Sequence, residues 1–118
     1  MNIEDKIKLV VEALEDIKAR DIVVLDTHRL TSLFERMVIA SGDSNRQTRA
    51  LVANVHDKIK EAGEYVGNTE GETSGEWVLL DLGDVIVHVM QPAVRAHYNL
   101  EELWGTAQAA RQQATRRA

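Results

Sequence analysis

The residues of this sequence that could do chemistry are its carboxylates and its four histidines, and their spacing builds no metal site. The histidines, at positions 28, 56, 88 and 97, lack the spacing of metal ligands in a helix or a turn. A two-metal phosphoryl-transfer site needs two carboxylates at positions i and i+2 of one strand face. Asp81 and Asp84 are three residues apart, and Glu70 and Glu72 lie in a loop-like segment with no third ligand nearby. We therefore predict no catalytic residue, no metal and no cofactor.

The segment SGDS, at residues 41–44, is a second place where chemistry is conceivable. It lies between a predicted strand and the N-terminus of a predicted helix, where backbone N–H groups and the helix dipole favour an anion. A glycine turn followed by an N-cap is also the ordinary joint between a strand and a helix. The segment matches neither a P-loop nor a dinucleotide fingerprint, so a structural joint is favoured and anion binding stays open.

The elements that position these groups are organised around residues 77–90, with the sequence WVLLDLGDVIVHVM. Two runs rich in Val, Ile and Leu flank Gly83 and Asp84, which predicts a β-hairpin with a two-residue turn. One face is aliphatic and lies on a core, in a register that pairs Leu82 with Val85, Leu80 with Val87, and Val78 with Val89. The other, called here the mixed face, carries Trp77, Leu79, Asp81, Ile86, His88 and Met90.

Hydrophobic spacing and capping signals predict two long helices, at residues 3–19 and 45–62. Ser44 is the predicted N-cap of the second, with Gln47 reaching back in a capping box, and Gly63 is its left-handed stop. Strands are predicted at residues 21–26 and 36–40 and, briefly, at 65–66. Pro92 opens a short helical turn through residue 96, and residues 97–104 pack back on the sheet.

The fold class that follows is α/β (α+β), with a mixed sheet of four or five strands and two main helices. Two long helices cover one face of such a sheet, so part of the mixed face is expected to stay open as a binding patch. Trp77 on that face is either core or the anchor of an interface, and both interpretations stay open. The same holds for His88, as a core histidine or a functional one.

Composition limits the remaining possibilities. The 118 residues contain no cysteine, which excludes disulfides and thiolate metal sites. The net charge of −5 argues against non-specific binding to nucleic acid and suits a basic protein partner. No apolar run approaches a membrane span, and the N-terminus is not signal-like, so we expect a soluble, cytoplasmic protein. We predict one domain at residues 1–104 and a flexible basic tail at residues 105–118.

Five segments of the sequence resemble the ribosome silencing factors, also called the Iojap-like family. They are DIVVLD at 21–26, MVIASGDSNRQTRA at 37–50, the EG pair at 70–71, WVLLDLGDVIVHVM at 77–90 and RAHYNLEELW at 95–104. The resemblance implies a fold similar to the nucleotidyltransferase core and a non-enzymatic role. It further implies a translational repressor that binds the large ribosomal subunit through ribosomal protein fourteen. Ribosomal protein fourteen lies on the face of the large subunit that joins the small subunit. A factor bound there would keep the small subunit from docking when nutrients run short.

Carried over residue by residue, the resemblance also implies a set of partner-binding residues. They are Trp77, Asp81, Leu82, His88 and Met90, with Glu70 and Gly71 on the adjoining loop. Although its register points Leu82 to the core, its place at the turn leaves room for it to protrude. For four further matching residues a structural role is preferred, closing the C-terminal segment on the sheet: Arg95, Tyr98, Glu101 and Trp104.

Two departures and two alternatives accompany this resemblance. Residues 33–36 (LFER) replace the family's usual turn, and the tail extends past the usual end, so that a contact of the tail with ribosomal RNA is a separate hypothesis. The first alternative is a metal-dependent nucleotidyltransferase-like enzyme, since the implied fold permits one. The second is a homodimer whose mixed faces cover each other.

Overall fold

Apolar alternation and helix caps divide the chain into helices and strands, which the computed structural model describes over residues 1–104. In chain order they are α1 (Ile3–Asp16), β1 (Arg20–Asp26), β2 (Arg36–Ser41), α2 (Asn45–Glu61), β3 (Thr69–Glu70), β4 (Trp77–Asp81), β5 (Val85–Met90) and α3 (Pro92–Tyr98). Residues 100–104 are also helical. The predicted tail at residues 105–118 lies outside the described residues.

The strands form one mixed sheet in the order β1-β2-β5-β4-β3. Strands β2 and β5 are parallel, and the other neighbours are antiparallel. This confirms the predicted α+β class. The hairpin register is confirmed as well, because Val78 faces Val89 and Leu80 faces Val87. At the turn, Gly83 has a φ of +85°, a conformation that glycine adopts without steric cost.

Two predicted boundaries are wrong, for different reasons. Helix α1 ends at Asp16 rather than at residue 19, because the chain reverses at Lys18 (φ +62°) and the Ala19 N–H bonds the Leu14 carbonyl. The predicted strand at residues 65–66 is absent, and the edge strand is Thr69–Glu70, paired with β4. The apolar residue behind that prediction, Val66, packs against the main core from a loop and is not part of the sheet.

The start of α2 follows the predicted cap with one change. The Ser44 hydroxyl accepts a hydrogen bond from the Gln47 N–H at 3.0 Å, which confirms the N-cap. The Gln47 side chain reaches the Asp43 N–H, one residue before the position a capping box uses. Its amide nitrogen also donates to the Ile17 and Lys18 carbonyls, so that this side chain connects the end of α1 to the start of α2. Gly63, with a φ of +79°, ends the helix region as predicted.

Helices α1 and α2 both cover the aliphatic face of the sheet, and together they form the main core. Its largest buried side chains include Leu14, Leu51, Ile59, Leu80 and Leu82. Burying each such side chain fully contributes about 1.5–3 kcal/mol. A smaller second core, made of Met37, Ile39 and Met90, lies on the mixed face. The two long helices thus serve one face only, as the sequence predicts.

Lys6 connects α1 to the turn of the hairpin. Its side chain is 6% exposed, and the ammonium donates to the Leu82 carbonyl at 2.8 Å and to the Asp84 carboxylate at 2.6 Å. A buried ammonium is tolerated only when it is paired in this way. The contact fixes the hairpin turn, and therefore the mixed face, relative to the helices.

Candidate partner-binding surface

The mixed face is buried in one part and half-exposed in another. Met37 and Ile39 on β2 and Met90 at the end of β5 are buried against Val94, Leu100 and Trp104 of the C-terminal segment, residues 92–104. On β4 and at the start of β5, three side chains remain half-buried: Leu79, Asp81 and Ile86. We call these three residues the open patch. The C-terminal segment thus packs back on the sheet as predicted, and it covers only part of the face.

Trp77 lies between the buried part of the mixed face and the open patch, opposite buried Met90, in an orientation held by His88. The indole Nε1–H donates to His88 Nδ1 at 2.9 Å, although the two residues are diagonal neighbours across β4 and β5. His88 is only 7% exposed, and burial lowers the pKa of its imidazole to about 4. The ring is therefore neutral at pH 7, with its proton on Nε2, since Nδ1 must accept. This uncharged acceptor fixes the indole of Trp77.

A cavity of about 350 Å³ opens between the start of β4 and α3. Its walls include Ser74, Glu76, Trp77, Val94, His97 and Tyr98. The rings of Trp77 and Tyr98 have centroids 4.8 Å apart and are tilted by 50°. Sequence reasoning missed this cavity, because its walls come from two elements that only the folded sheet brings together. The one feature of the sequence that could have indicated it is the aromatic pair Trp77 and Tyr98, because residues 97–104 are predicted to pack on the sheet that contains Trp77.

Glu70, Gly71 and Asp81, three of the predicted partner-binding residues, also take part in the local structure. Glu70 is exposed and pairs with Leu79 at the edge of the sheet. Gly71 has a φ of +85°, and a Cβ there would lie 2.0 Å from the Trp77 carbonyl oxygen, so only glycine fits. The Asp81 carboxylate accepts the Gly83 N–H at 2.7 Å and shapes the hairpin turn. Asp81 belongs to the open patch, and exposed Glu70 is the direct neighbour of Leu79 in that patch.

The other predicted partner-binding residues lie beneath the surface. Leu82 is 1% exposed and belongs to the main core, so the expectation that it protrudes at the turn is wrong. The cause is the register, which points it at the helices. Met90 is fully buried in the second core, and His88 is buried beneath Trp77. These side chains support the surface from below.

Arg95 fastens the C-terminal segment to the sheet. Its Nε donates to the Glu101 carboxylate at 2.9 Å, and its Nη1 donates to the Ser41 hydroxyl at the end of β2, also at 2.9 Å. Farther along, the rings of Phe34 and Trp104 pack with centroids 5.8 Å apart. The segment 33–36, which departs from the family pattern, thus contributes Phe34 to the second core.

Charge is distributed unevenly along the chain. Residues 69–104 contain seven carboxylates and a single basic side chain other than histidine, Arg95. Arg95 is already paired with Glu101. Residues 69–104, which form β3, β4, β5 and the C-terminal segment, are therefore the more acidic part of the described protein. The negative electrostatic potential of such a segment attracts basic partners.

Comparison with known proteins gives a family. The model described as "Ribosomal silencing factor during starvation" matches residues 1–118. The chain belongs to this family. A relative from Chromobacterium violaceum, named ribosomal silencing factor, is 60% identical over 105 residues, which are 89% of this chain and 86% of the relative. A crystal structure from the same organism has a TM-score of 0.87 at 60% identity and covers 89% of this chain and 88% of that one.

A more distant relative comes from Mus musculus and is named mitochondrial assembly of ribosomal large subunit protein 1. It is 31% identical over 101 residues, which are 83% of this chain and 44% of the relative. The resemblance to ribosome silencing factors noted in the sequence is thus confirmed by the family model and by the similarity to named members.

In this silencing-factor family member, the groups at residues 41–44 are engaged within the protein. The Ser41 hydroxyl accepts from Arg95, the Asp43 N–H bonds Gln47, and the Ser44 hydroxyl caps α2. Within residues 1–104, no group of three or more His, Asp or Glu side chains is placed to hold a metal ion. Over the same range, no helix is long and apolar enough to cross a membrane.

Proposed function

We propose that this protein represses translation by binding the large ribosomal subunit through ribosomal protein fourteen at the joining face, so that the small subunit cannot dock. The proposal is of a non-enzymatic factor acting in the cytoplasm, especially when nutrients are short. Family membership supports a ribosomal silencing role. The name of the mouse relative supports the large subunit as the partner.

The structural observation that carries the proposal is a half-exposed apolar patch on an acidic part of the sheet. Leu79 and Ile86 lie half-buried beside Asp81, where the C-terminal segment does not bury them fully. Protein interfaces commonly combine an apolar centre with a charged rim. Carboxylates around such a centre suit the basic surface of a ribosomal protein.

Within this proposal the predicted partner-binding residues divide into two groups. Trp77, Asp81, Glu70 and Gly71 have exposed or half-buried atoms and would contact the partner directly. The buried residues would act indirectly, since His88 holds the indole of Trp77, while Met90 and Leu82 fill the two cores below. Repression then needs no chemical step. Occupancy of the joining face is sufficient, provided that the protein stays bound for longer than the interval between encounters of the large subunit with small subunits.

Co-sedimentation of the purified protein with separated ribosomal subunits tests this proposal. We expect the wild type to travel with the large subunit alone and to lower the joined-ribosome peak. Glu70→Lys, at an exposed position, should weaken both effects without affecting folding, and a Trp77→Ala, Asp81→Arg double variant should abolish them. The matched control is Glu12→Arg, a charge reversal on the exposed side of α1, which covers the opposite face.

A wild-type protein that stays at the top of the gradient would contradict the proposal. Sedimentation of the protein alone tests the homodimer alternative. If the wild type associates as its concentration rises and the double variant does not, the mixed face lies between two copies of the chain. Nucleotide and Mg²⁺ test the enzyme alternative, because a bound substrate would raise the melting temperature.

A further inference from the structure

The cavity between β4 and α3 combines an aromatic corner with a carboxylate. The rings of Trp77 and Tyr98 form two of its walls, 4.8 Å apart between centroids. Glu76 adds an exposed carboxylate, which makes no ion pair within residues 1–104. His97 packs against the edge of Tyr98, with ring planes at 89°. Aromatic faces next to a carboxylate are the surroundings in which a flat organic cation is bound.

The walls of this cavity are held by the fold. Trp77 is fixed by its hydrogen bond to His88, 2.9 Å long. The backbone carbonyl of Glu76 accepts the Gln91 N–H at 3.0 Å, which fixes the position of Glu76 relative to the start of α3. The preceding turn is closed by the Gly75 N–H on the Gly71 carbonyl, also at 3.0 Å. A site whose walls are already ordered loses little conformational entropy on binding.

We propose that this cavity is the receptor for an arginine side chain of the basic partner protein. The guanidinium would stack on the indole or the phenol ring and donate to the Glu76 carboxylate, with its methylene stem against Val94. Arginine is favoured over lysine because its planar, weakly hydrated cation both stacks and makes two parallel hydrogen bonds to a carboxylate. The nature of the partner rests on the proposed function, whereas the chemistry of the cavity rests on its walls.

Charge argues against a nucleotide as the occupant. Aromatic walls also stack on bases, but nucleic-acid sites on proteins pair such walls with basic side chains for the phosphates. Here residues 69–104, which line the cavity, contain seven carboxylates, of which Glu76 is in the cavity wall, and their single arginine is bound to Glu101 and Ser41. A phosphate group would meet repulsion at this surface, and a cation would meet attraction.

Two short peptides test the site on the full-length, isotope-labelled protein. Acetyl-Gly-Arg-Gly-amide should shift the Trp77 indole N–H resonance saturably, while the isosteric citrulline peptide, which lacks the charge, should bind at least about tenfold more weakly. Glu76→Gln should weaken arginine-peptide binding by about fivefold or more, and Tyr98→Leu should weaken it similarly. Glu72→Gln removes a carboxylate of the same exposed loop that does not line the cavity, and should stay within about twofold of the wild type.

Three results would overturn the inference: equal binding of the citrulline peptide, equal weakening by Glu72→Gln and Glu76→Gln, or a matching shift produced by uridine monophosphate. Co-sedimentation separates this inference from the proposed function. If Glu76→Gln loses the arginine peptide but binds large subunits like the wild type, the function stands and the partner's arginine does not use the cavity. If the wild type binds the peptide but not the subunit, the proposed function fails while the cation site stands.

Discussion

The two faces of the sheet are built on different principles. The aliphatic face is covered by α1 and α2, and on β2, β4 and β5 its Val, Leu and Ala side chains are fully buried. The mixed face has three buried hydrophobic residues, a Trp–His hydrogen bond, a buried arginine and a short helical cover. On the first face, the exposed apolar side chain is Val24 of the edge strand β1, opposite Val38. The second keeps half-buried side chains at the surface, so that under the proposed function stability and recognition lie on opposite sides of one sheet.

Adjacent residues on one strand test this division with the largest expected effect. Leu80 points to the main core and is fully buried, whereas Leu79 points to the open patch and is half-buried. Leu80→Ala should lower the free energy of unfolding by about 3 kcal/mol, because it leaves a cavity among packed side chains. Leu79→Ala should cost less than about 1 kcal/mol. Urea denaturation measures both, and equal losses would break the distinction between the faces.

The pH dependence of stability sharpens the comparison, because the buried imidazole belongs to the mixed face. In the unfolded chain the pKa of His88 returns to about 6.5, and in the folded protein burial lowers it to about 4. The unfolded state therefore binds the extra proton as the pH falls from 6.5 to 4, and the native state loses stability over that window. At pH 5 the loss is about 2 kcal/mol.

Urea denaturation of the wild type and His88→Gln at pH 7 and pH 5 checks this expectation. Between pH 7 and pH 5 the free energy of unfolding of the variant should fall by less than that of the wild type, because the variant has no imidazole at position 88. The carboxylates titrate in both proteins, so their contribution is the same in each. An identical pH dependence in the two proteins would show that the imidazole is protonated without penalty.

The C-terminal cover should open more readily than the helices on the opposite face. Arg95→Met removes the hydrogen bonds to Glu101 and Ser41, which should destabilise residues 92–104 locally by about 1.5 kcal/mol. Amide hydrogen exchange in that segment should accelerate roughly tenfold, while α2 keeps its protection. Equal acceleration in both regions would mean that the cover and the main core unfold as one unit.

Sequence reasoning anticipated the aliphatic face better than the mixed one. The hairpin register follows from strict alternation about Gly83 and Asp84, and the start of α2 follows from Ser44, because both signals are local. The edge strand at Thr69–Glu70 was missed, since two residues without an apolar pattern carry no periodic signal. Helix α1 ends at Asp16, and the left-handed residue that follows is Lys18 rather than a glycine, so the sequence contains no residue type that signals the end of this helix.

The candidate site was only partly predictable for a related reason. The composition of the mixed face placed Trp77 and His88 together, but their hydrogen bond is diagonal across the strands and depends on rotamers. Lys6 on an amphipathic helix looks like a solvated lysine, and its burial arises from contact with a turn 76 residues later. The cavity beside Tyr98 depends on where α3 lies, a long-range property that local patterns do not contain.

Site-specific photo-crosslinking tests the central claim that the mixed face is the ribosome-binding face. A photoreactive benzoylphenylalanine at exposed Glu70, beside the open patch, is compared with the same residue at exposed Glu12 on α1. After irradiation with purified large subunits, position 70 should yield one crosslink, to ribosomal protein fourteen, and position 12 should yield none. A crosslink from position 12 alone, or no subunit crosslink from either position, would contradict the assignment.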